Sequence, residues 1–219
     1  MARAILFDFN GVIINDESQH CEALIATLAT YGYDLDRETY YQEYLGFDDR
    51  ECFRFTFARM GWPPDEARLH EAIERKAVRY AEAIRASMEL VPGSAEFIHQ
   101  AAVEGYRMAI VSGALRREIE LVLETAGLRR HFDLIVAAED VERCKPDPQG
   151  YRAARAALGL PAVGCVIIED SLPGLEAARH AGIRCAMLST SHPAEQLRRA
   201  DLVWPNLQGH HPRELPWAA

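Results

Sequence analysis

No C-x-x-C pair occurs among the five cysteines (Cys21, Cys52, Cys144, Cys165 and Cys185), and with their odd number and scattered spacing neither a disulfide framework nor a zinc site is indicated. A reducing cytoplasm is the expected setting. There is no dense block of Lys and Arg either. The 24 basic residues face 33 acidic ones for a net charge of −9, which disfavours nucleic acid and anionic membrane as partners. Local cations can still hold a small anion. No apolar run approaches the roughly 18 residues that suggest a membrane span. The first apolar run opens at Arg3-Ala4, too early for a secretory leader, so none is expected. What is present is a chain of 219 residues, 49% of them hydrophobic, enough for one packed domain or for a core with an inserted partner.

The N-terminal stretch Ala4-Ile-Leu-Phe7 is short and wholly apolar, which suits a strand buried on both faces. It delivers Asp8 to its end and then turns at Asn10-Gly11, a pair that tolerates positive φ. Asn-Gly between apolar runs also signals a hairpin. From Glu17 to Ser87 the pattern is helical. Cys21, Leu24, Ile25 and Leu28 form one stripe, Tyr40 to Leu45 and Cys52 to Met60 two shorter ones, and Asp65 to Ala86 a long one. After Val91-Pro92-Gly93 the character changes to helical stretches alternating with Val- and Ile-rich runs. These are Arg107 to Ser112, Leu134 to Ala137, Gly164 to Glu169, Ile183 to Leu188 and a weaker Asp201 to Trp204. Such alternation predicts an α/β parallel sheet with helices on both faces and right-handed crossovers. Asp8 would join strands made a hundred residues later. The tail from Pro205, with His210-His211, reads as solvated loop.

Reactive groups stand where several of these runs end. Ligands of parallel sheets bind outside the carboxyl ends of the strands. Asp8 follows the first run, Ser112-Gly113 the next, Lys145-Pro146-Asp147-Pro148 comes beyond the third, and Glu169-Asp170-Ser171 closes the fourth. Singly, each has a structural reading: a strand end, a rigid turn, a helix cap. Together they describe phosphoryl transfer. Asp8 is the nucleophile, and Asp8 and Asp170 share a magnesium ion, which takes hard oxygen ligands. Ser112 and Lys145 hold the phosphoryl oxygens. Lysine also offsets the repulsion between an anionic nucleophile and a phosphate.

Asp8-Phe-Asn-Gly-Val12, Ser112-Gly113, Lys145-Pro-Asp-Pro148 and Glu169-Asp-Ser-Leu-Pro-Gly174, in that order, resemble the haloacid dehalogenase superfamily and, within it, the beta-phosphoglucomutase-like phosphatases. The resemblance implies a three-layer Rossmann-like parallel sheet core, residues 1–16 and 88–219, and an all-helical cap, residues 17–87, inserted after the first strand. It also implies a magnesium-dependent phosphohydrolase of a small phosphorylated metabolite, working through an aspartyl phosphate. By the same resemblance the Asn10 main-chain carbonyl joins Asp8 and Asp170 on the metal, and Glu169 supports it. The loop Gly46-Phe-Asp-Asp-Arg50 and the stretch from Arg75-Lys76 are placed where relatives close over substrate.

One departure bears on mechanism. Relatives that transfer phosphoryl groups usually carry a second aspartate, which moves the proton of the leaving oxygen, where this chain has Asn10. An amide cannot do so, and positioned acid–base help is worth about 10²–10⁴ in rate. Three outcomes are open: a slow phosphatase for esters that leave without a proton, a substitute proton carrier, or a protein that binds phosphorylated ligands without turnover. Asp16 is the first candidate carrier and His20 the second, against readings as a helix cap and a hydrogen-bonded helix residue. A sugar-phosphate mutase is the alternative enzyme, and it would need a distal cation. Arg50, Lys76 and Arg116 are candidates for that, against a reading as solvated helix surface, and Gly113 would contact substrate. Metal-free dehalogenation is disfavoured by Glu169-Asp170, and Schiff-base cleavage of a phosphonate would need Lys76.

Overall fold

The computed structural model describes residues 2–218. Six parallel strands form one sheet: β1 (Ala4–Phe7), β2 (Arg107–Val111), β3 (Leu134–Val136), β4 (Cys165–Glu169), β5 (Arg184–Leu188) and β6 (Leu202–Trp204), in the order β3-β2-β1-β4-β5-β6. The strands fall within the apolar runs of the sequence. The hairpin reading of Asn10-Gly11 does not hold, because among the described residues β1 pairs with β2 and β4 alone, both parallel. What Asn10-Gly11 makes is a reversal in which Val12, Ile13 and Ile14 donate to the Phe9 carbonyl. Gly11 takes φ +70°, a conformation that favours glycine.

The side chains of β1 alternate between two apolar layers. Ala4 and Leu6 join a core with Tyr151 and Ala154 of α7 (Gln149–Ala157), with Leu158 just past its end, and with Leu175 and Ala178 of α8 (Leu172–Ala181). Phe7 faces the other way, edge-on to Phe97 of α5 (Ser94–Val103) and to Phe132, at centroid distances of 6.3 and 5.8 Å. Burying a side chain such as Phe7 contributes about 1.5–3 kcal/mol, so β1 is fixed by both layers. The remaining crossover helix, α6 (Arg116–Thr125), links β2 to β3.

The chain divides into two compact units, Met1–Asn15 with Glu89–Ala219, and Asp16–Met88. The second is all-helical: α1 (Glu17–Ala29), α2 (Arg37–Glu43), α3 (Asp49–Arg59) and α4 (Glu66–Ala86). Leu24 and Leu28 of α1 are buried, as are Leu69, Ile73, Ala77 and Ile84 of α4. Asp36, Asp48 and Asp65 cap the last three helices. In the segment expected to be loop, Asp48 forms a capping box with Glu51, and this draws Asp49 and Arg50 into the first turn of α3.

The tail is held more firmly than its sequence suggested. His210 stacks on Trp204 at 4.0 Å, His211 lies 3.0 Å from Glu104, and Trp217 stacks on Tyr106 at 5.3 Å. Among the described residues no helix is long and apolar enough to cross a membrane.

Candidate active site

Strand register assembles the site. Phe7 pairs with Ile110 on one side and Ile168 on the other, so Asp8 lies level with Val111 and Glu169 at the carboxyl edge of the sheet. The Asp8 N–H continues the ladder to the Ile168 carbonyl at 2.8 Å. Chain order reverses at β1, with β2 to one side and β4 to the other, and such switch points are where open α/β sheets bind ligands.

Lys145 bridges two carboxylates: its Nζ is 2.7 Å from Asp8 Oδ1 and 2.6 Å from Glu169 Oε1. Asp8, Glu169 and Asp170 are buried and bring carboxylate oxygens within 4.8 Å of one another. Burial, then the charge of Glu169, push Asp8 from its ordinary value to about 7 against the opposing pull of Lys145. Burial, Glu169 and Asp8 likewise drive Asp170 upward. Burial would raise Glu169 too, but the charge and hydrogen bond of Lys145 and the donors of Ser171 outweigh it and hold it low. Lys145 stays protonated, since Asp8 and Glu169 together overcome its desolvation.

Glu169 is engaged on every side. Oε1 accepts from Lys145 and from the Tyr151 hydroxyl at 2.9 Å, while Oε2 accepts from Asp170 N, Ser171 N and Ser171 Oγ, each at 2.9 Å. Ser171 also caps α8 by accepting from Gly174 N at 3.1 Å. A Cβ on Gly174 would overlap the Glu169 carboxylate. Likewise a Cβ on Gly11 would overlap Asp170, so this glycine serves close approach as well as the turn. Ser112, at the end of β2, accepts from Ala114 N at 3.0 Å. Ser112 and Gly113 line a small pocket together with Cys144, Lys145, Asp147 and Tyr151.

A set of hard oxygen donors in which burial, and after it the neighbouring carboxylates, push Asp8 and Asp170 upward is suited to a divalent cation. The donors fit magnesium. Asp8 and Asp170 are the carboxylates that would hold it, and Glu169, with its oxygens already occupied, supports them.

The structure thus brings Asp8, Ser112, Gly113, Lys145, Glu169 and Asp170 to one rim. Arg116 is engaged elsewhere, binding the Ile135 carbonyl at 3.0 Å and pairing with Asp140, and so it anchors the segment after β3. Asn10 lies in the turn after β1, in the same unit as the sheet, and the other candidates belong to the helical unit. Asp16 stands at the N-cap position of α1 without capping it, and its carboxylate accepts instead from Tyr80. His20 Nε2 lies 3.3 Å from Asp16, and His20 Nδ1 is 2.6 Å from Lys76 Nζ. Lys76, read from sequence as solvated surface or substrate contact, is 2% exposed and pairs with Asp49. Arg50 pairs with Glu66 at 2.8 Å. Three partners escaped sequence reasoning: Tyr151, Thr190 and Ser191. The hydroxyl run Ser189-Thr190-Ser191 does end a strand, and that was the available signal.

The sequence model of the haloacid dehalogenase-like hydrolases matches residues 5–188. The chain belongs to the haloacid dehalogenase-like hydrolases. It is a phosphohydrolase of that family. The validoxylamine A 7'-phosphate phosphatase of Streptomyces hygroscopicus subsp. limoneus is 30% identical, over 94% of this chain and 95% of that protein. Among solved structures, CbbY from Rhodobacter sphaeroides, a mutant in complex with xylulose-(1,5)bisphosphate, superposes with a TM-score of 0.88 at 28% identity, covering 97% of this chain and 98% of that one. The beta-phosphoglucomutase of Clostridium difficile shares the fold, with a TM-score of 0.82 at 23% identity over 94% and 92% of the two chains.

Proposed function

We propose that this hydrolase is a magnesium-dependent phosphatase of a small phosphorylated sugar or polyol, acting through an aspartyl phosphate on Asp8. The observation that carries the reading is the Lys145 bridge between Asp8 and Glu169, beside Asp170 and Ser112 at the switch point of the sheet. The named substrates of the validoxylamine phosphatase and of the CbbY complex support the substrate class. Five free cysteines suit a reducing cytoplasm as the place of action.

In the reaction, an Asp8 oxygen forms the new bond to phosphorus while the ester P–O bond breaks. Lys145 and Ser112 hold the phosphoryl oxygens and offset their charge. Magnesium, held by Asp8, Asp170 and the Asn10 carbonyl, would supply further neutralisation of the phosphate as it reacts. Water then cleaves the aspartyl phosphate and restores the carboxylate. The leaving oxygen needs a proton that Asn10 cannot give. Asp16 and His20 are proposed as its source. Lys76 donates to His20 Nδ1, which leaves the proton of a neutral ring on Nε2, 3.3 Å from Asp16. The helical unit, as a cap, would carry this pair and exclude water during attack. Lys76, already paired with Asp49, serves the pair rather than a Schiff base, and Arg50 and Gly113 remain candidate substrate contacts.

The test is phosphate release from a panel of sugar and polyol phosphates, with and without EDTA. Release that requires metal and disappears in Asp8→Asn is expected. Absence of release across the panel at high enzyme concentration would overturn the reading. Asn10 favours one alternative, a phospho-ligand binding protein, for which ligand would raise the melting temperature without turnover. A mutase would convert a sugar phosphate to its isomer instead of releasing phosphate.

A further inference from the structure

We propose that Thr190 and Ser191, on the turn that follows β5, are positioning residues for the divalent cation, setting the spacing between Asp170 and the Asn10-Gly11 turn. The inference rests on the metal site of the proposed function and adds to it two residues that no strand-end motif supplied.

The two hydroxyls are adjacent in sequence but reach different segments. Ser191 Oγ donates to Asp170 Oδ2, and Thr190 Oγ1 donates to the Gly11 carbonyl at 2.7 Å. Strand pairing explains how they arrive there. β5 lies beside β4 with Met187 opposite Glu169, so the turn from Ser189 emerges next to Asp170. On its other side the Asp170 carboxylate presses against Gly11, where any Cβ would overlap it. Asp170 is thus held between the turn after β1 and the turn after β5. The same β5 turn also grips the Gly11–Val12 peptide, one peptide beyond the Asn10 carbonyl.

A hydroxyl suits this role. It fixes a carboxylate by a hydrogen bond yet brings no positive charge to compete with a cation, as a lysine in its place would. Magnesium demands near-octahedral geometry at short distances, so small shifts of one ligand relative to another cost affinity. Partners that orient metal ligands are typically worth about 10–100-fold in metal affinity. Thr190 and Ser191 are exposed, so their truncation opens no cavity in the core.

The experiment measures Mn²⁺ binding to the full chain by electron paramagnetic resonance of the free ion, for the wild type, Ser191→Ala, Ser191→Thr, Thr190→Val and Asp170→Asn. Ser191→Ala and Thr190→Val should each bind Mn²⁺ about 10–100-fold more weakly, and Ser191→Thr, which keeps the hydroxyl, should stay close to the wild type. The metal-free melting temperature separates a positioning role from a merely structural one, which would lower that temperature and leave affinity untouched. Wild-type affinity in both Ser191→Ala and Thr190→Val, with binding lost in Asp170→Asn, overturns the inference while the metal site stands. No saturable binding by the wild type overturns the metal site, and this inference with it.

Discussion

The Tyr151 hydroxyl donates to Glu169 Oε1 at 2.9 Å, on the same oxygen that receives Lys145. Both groups are buried, so the bond is made where water cannot replace it. Tyr151→Phe keeps the ring and removes the donor. A hydrogen bond to a charged group is worth about 1.5–3 kcal/mol, and because Lys145 remains on that oxygen the expected loss is about 1–2 kcal/mol. Denaturant unfolding of the metal-free chain measures it, and an unchanged midpoint would show that the bond does not matter to stability.

Lys145→Met should do more damage. It strands Asp8 and Glu169 in the interior without their cation, and breaking a buried ion pair costs about 3–5 kcal/mol. Lys145 is what holds Glu169 below its ordinary value of 4.5, so its contribution is present above that pH and fades as pH falls through the folded value. The gap between wild type and variant should therefore be widest near neutrality and narrow in acid. A gap that stays constant with pH would assign the loss to packing.

Asp8 titrates the other way. Its folded value is about 7 against an ordinary 3.8, so between those limits the folded chain keeps a proton the unfolded chain has released. Asp8 thus costs stability increasingly as pH rises through that window. A cation requires the carboxylate, so binding expels the proton. Magnesium affinity should rise with pH below 7, by about tenfold per pH unit for the Asp8 proton alone, and more steeply wherever Asp170 also gives up a proton. Calorimetry in buffers of different ionisation heat should show proton release in the acidic range, and its absence there would refute the assignment.

The missing acid can be tested through the leaving group. With p-nitrophenyl phosphate, whose phenolate departs unaided, Asp16→Asn and His20→Gln should leave the rate nearly intact. With an alkyl phosphate each should lower it by about 10²–10⁴. Equal losses on both substrates would make the pair structural. Asn10→Asp should raise the alkyl rate if no substitute exists, and change it little if the pair already acts.

The sequence disclosed the site best where backbone and chemistry coincide. Asp8, Ser112 and Glu169 each end or follow an apolar run, and parallel pairing brings such ends to one edge. Lys145 was legible from its place beyond β3. Side chains that act across the fold were not. Nothing in the pattern ties Tyr151 to Glu169 or Ser191 to Asp170, because these bonds join segments whose only relation is spatial. Arg116 misled for the same reason: a cation just past Ser112-Gly113 suits an anion, but Asp140 and the Ile135 carbonyl take it. Lys76 carried a charge on a helical stripe, and only the fold shows Asp49 and His20 waiting for it in the interior.

The central place of β1 has a consequence for how the enzyme comes into being. Its first strand leaves the ribosome well before the carbonyl that pairs with Asp8 and the lysine that neutralises it, which follow more than a hundred residues later. Long-range parallel pairing of this kind is slow to form. A nascent chain stalled or cut before Cys165 therefore holds neither a complete sheet nor an assembled nucleophile, and reactivity arrives only with the fold.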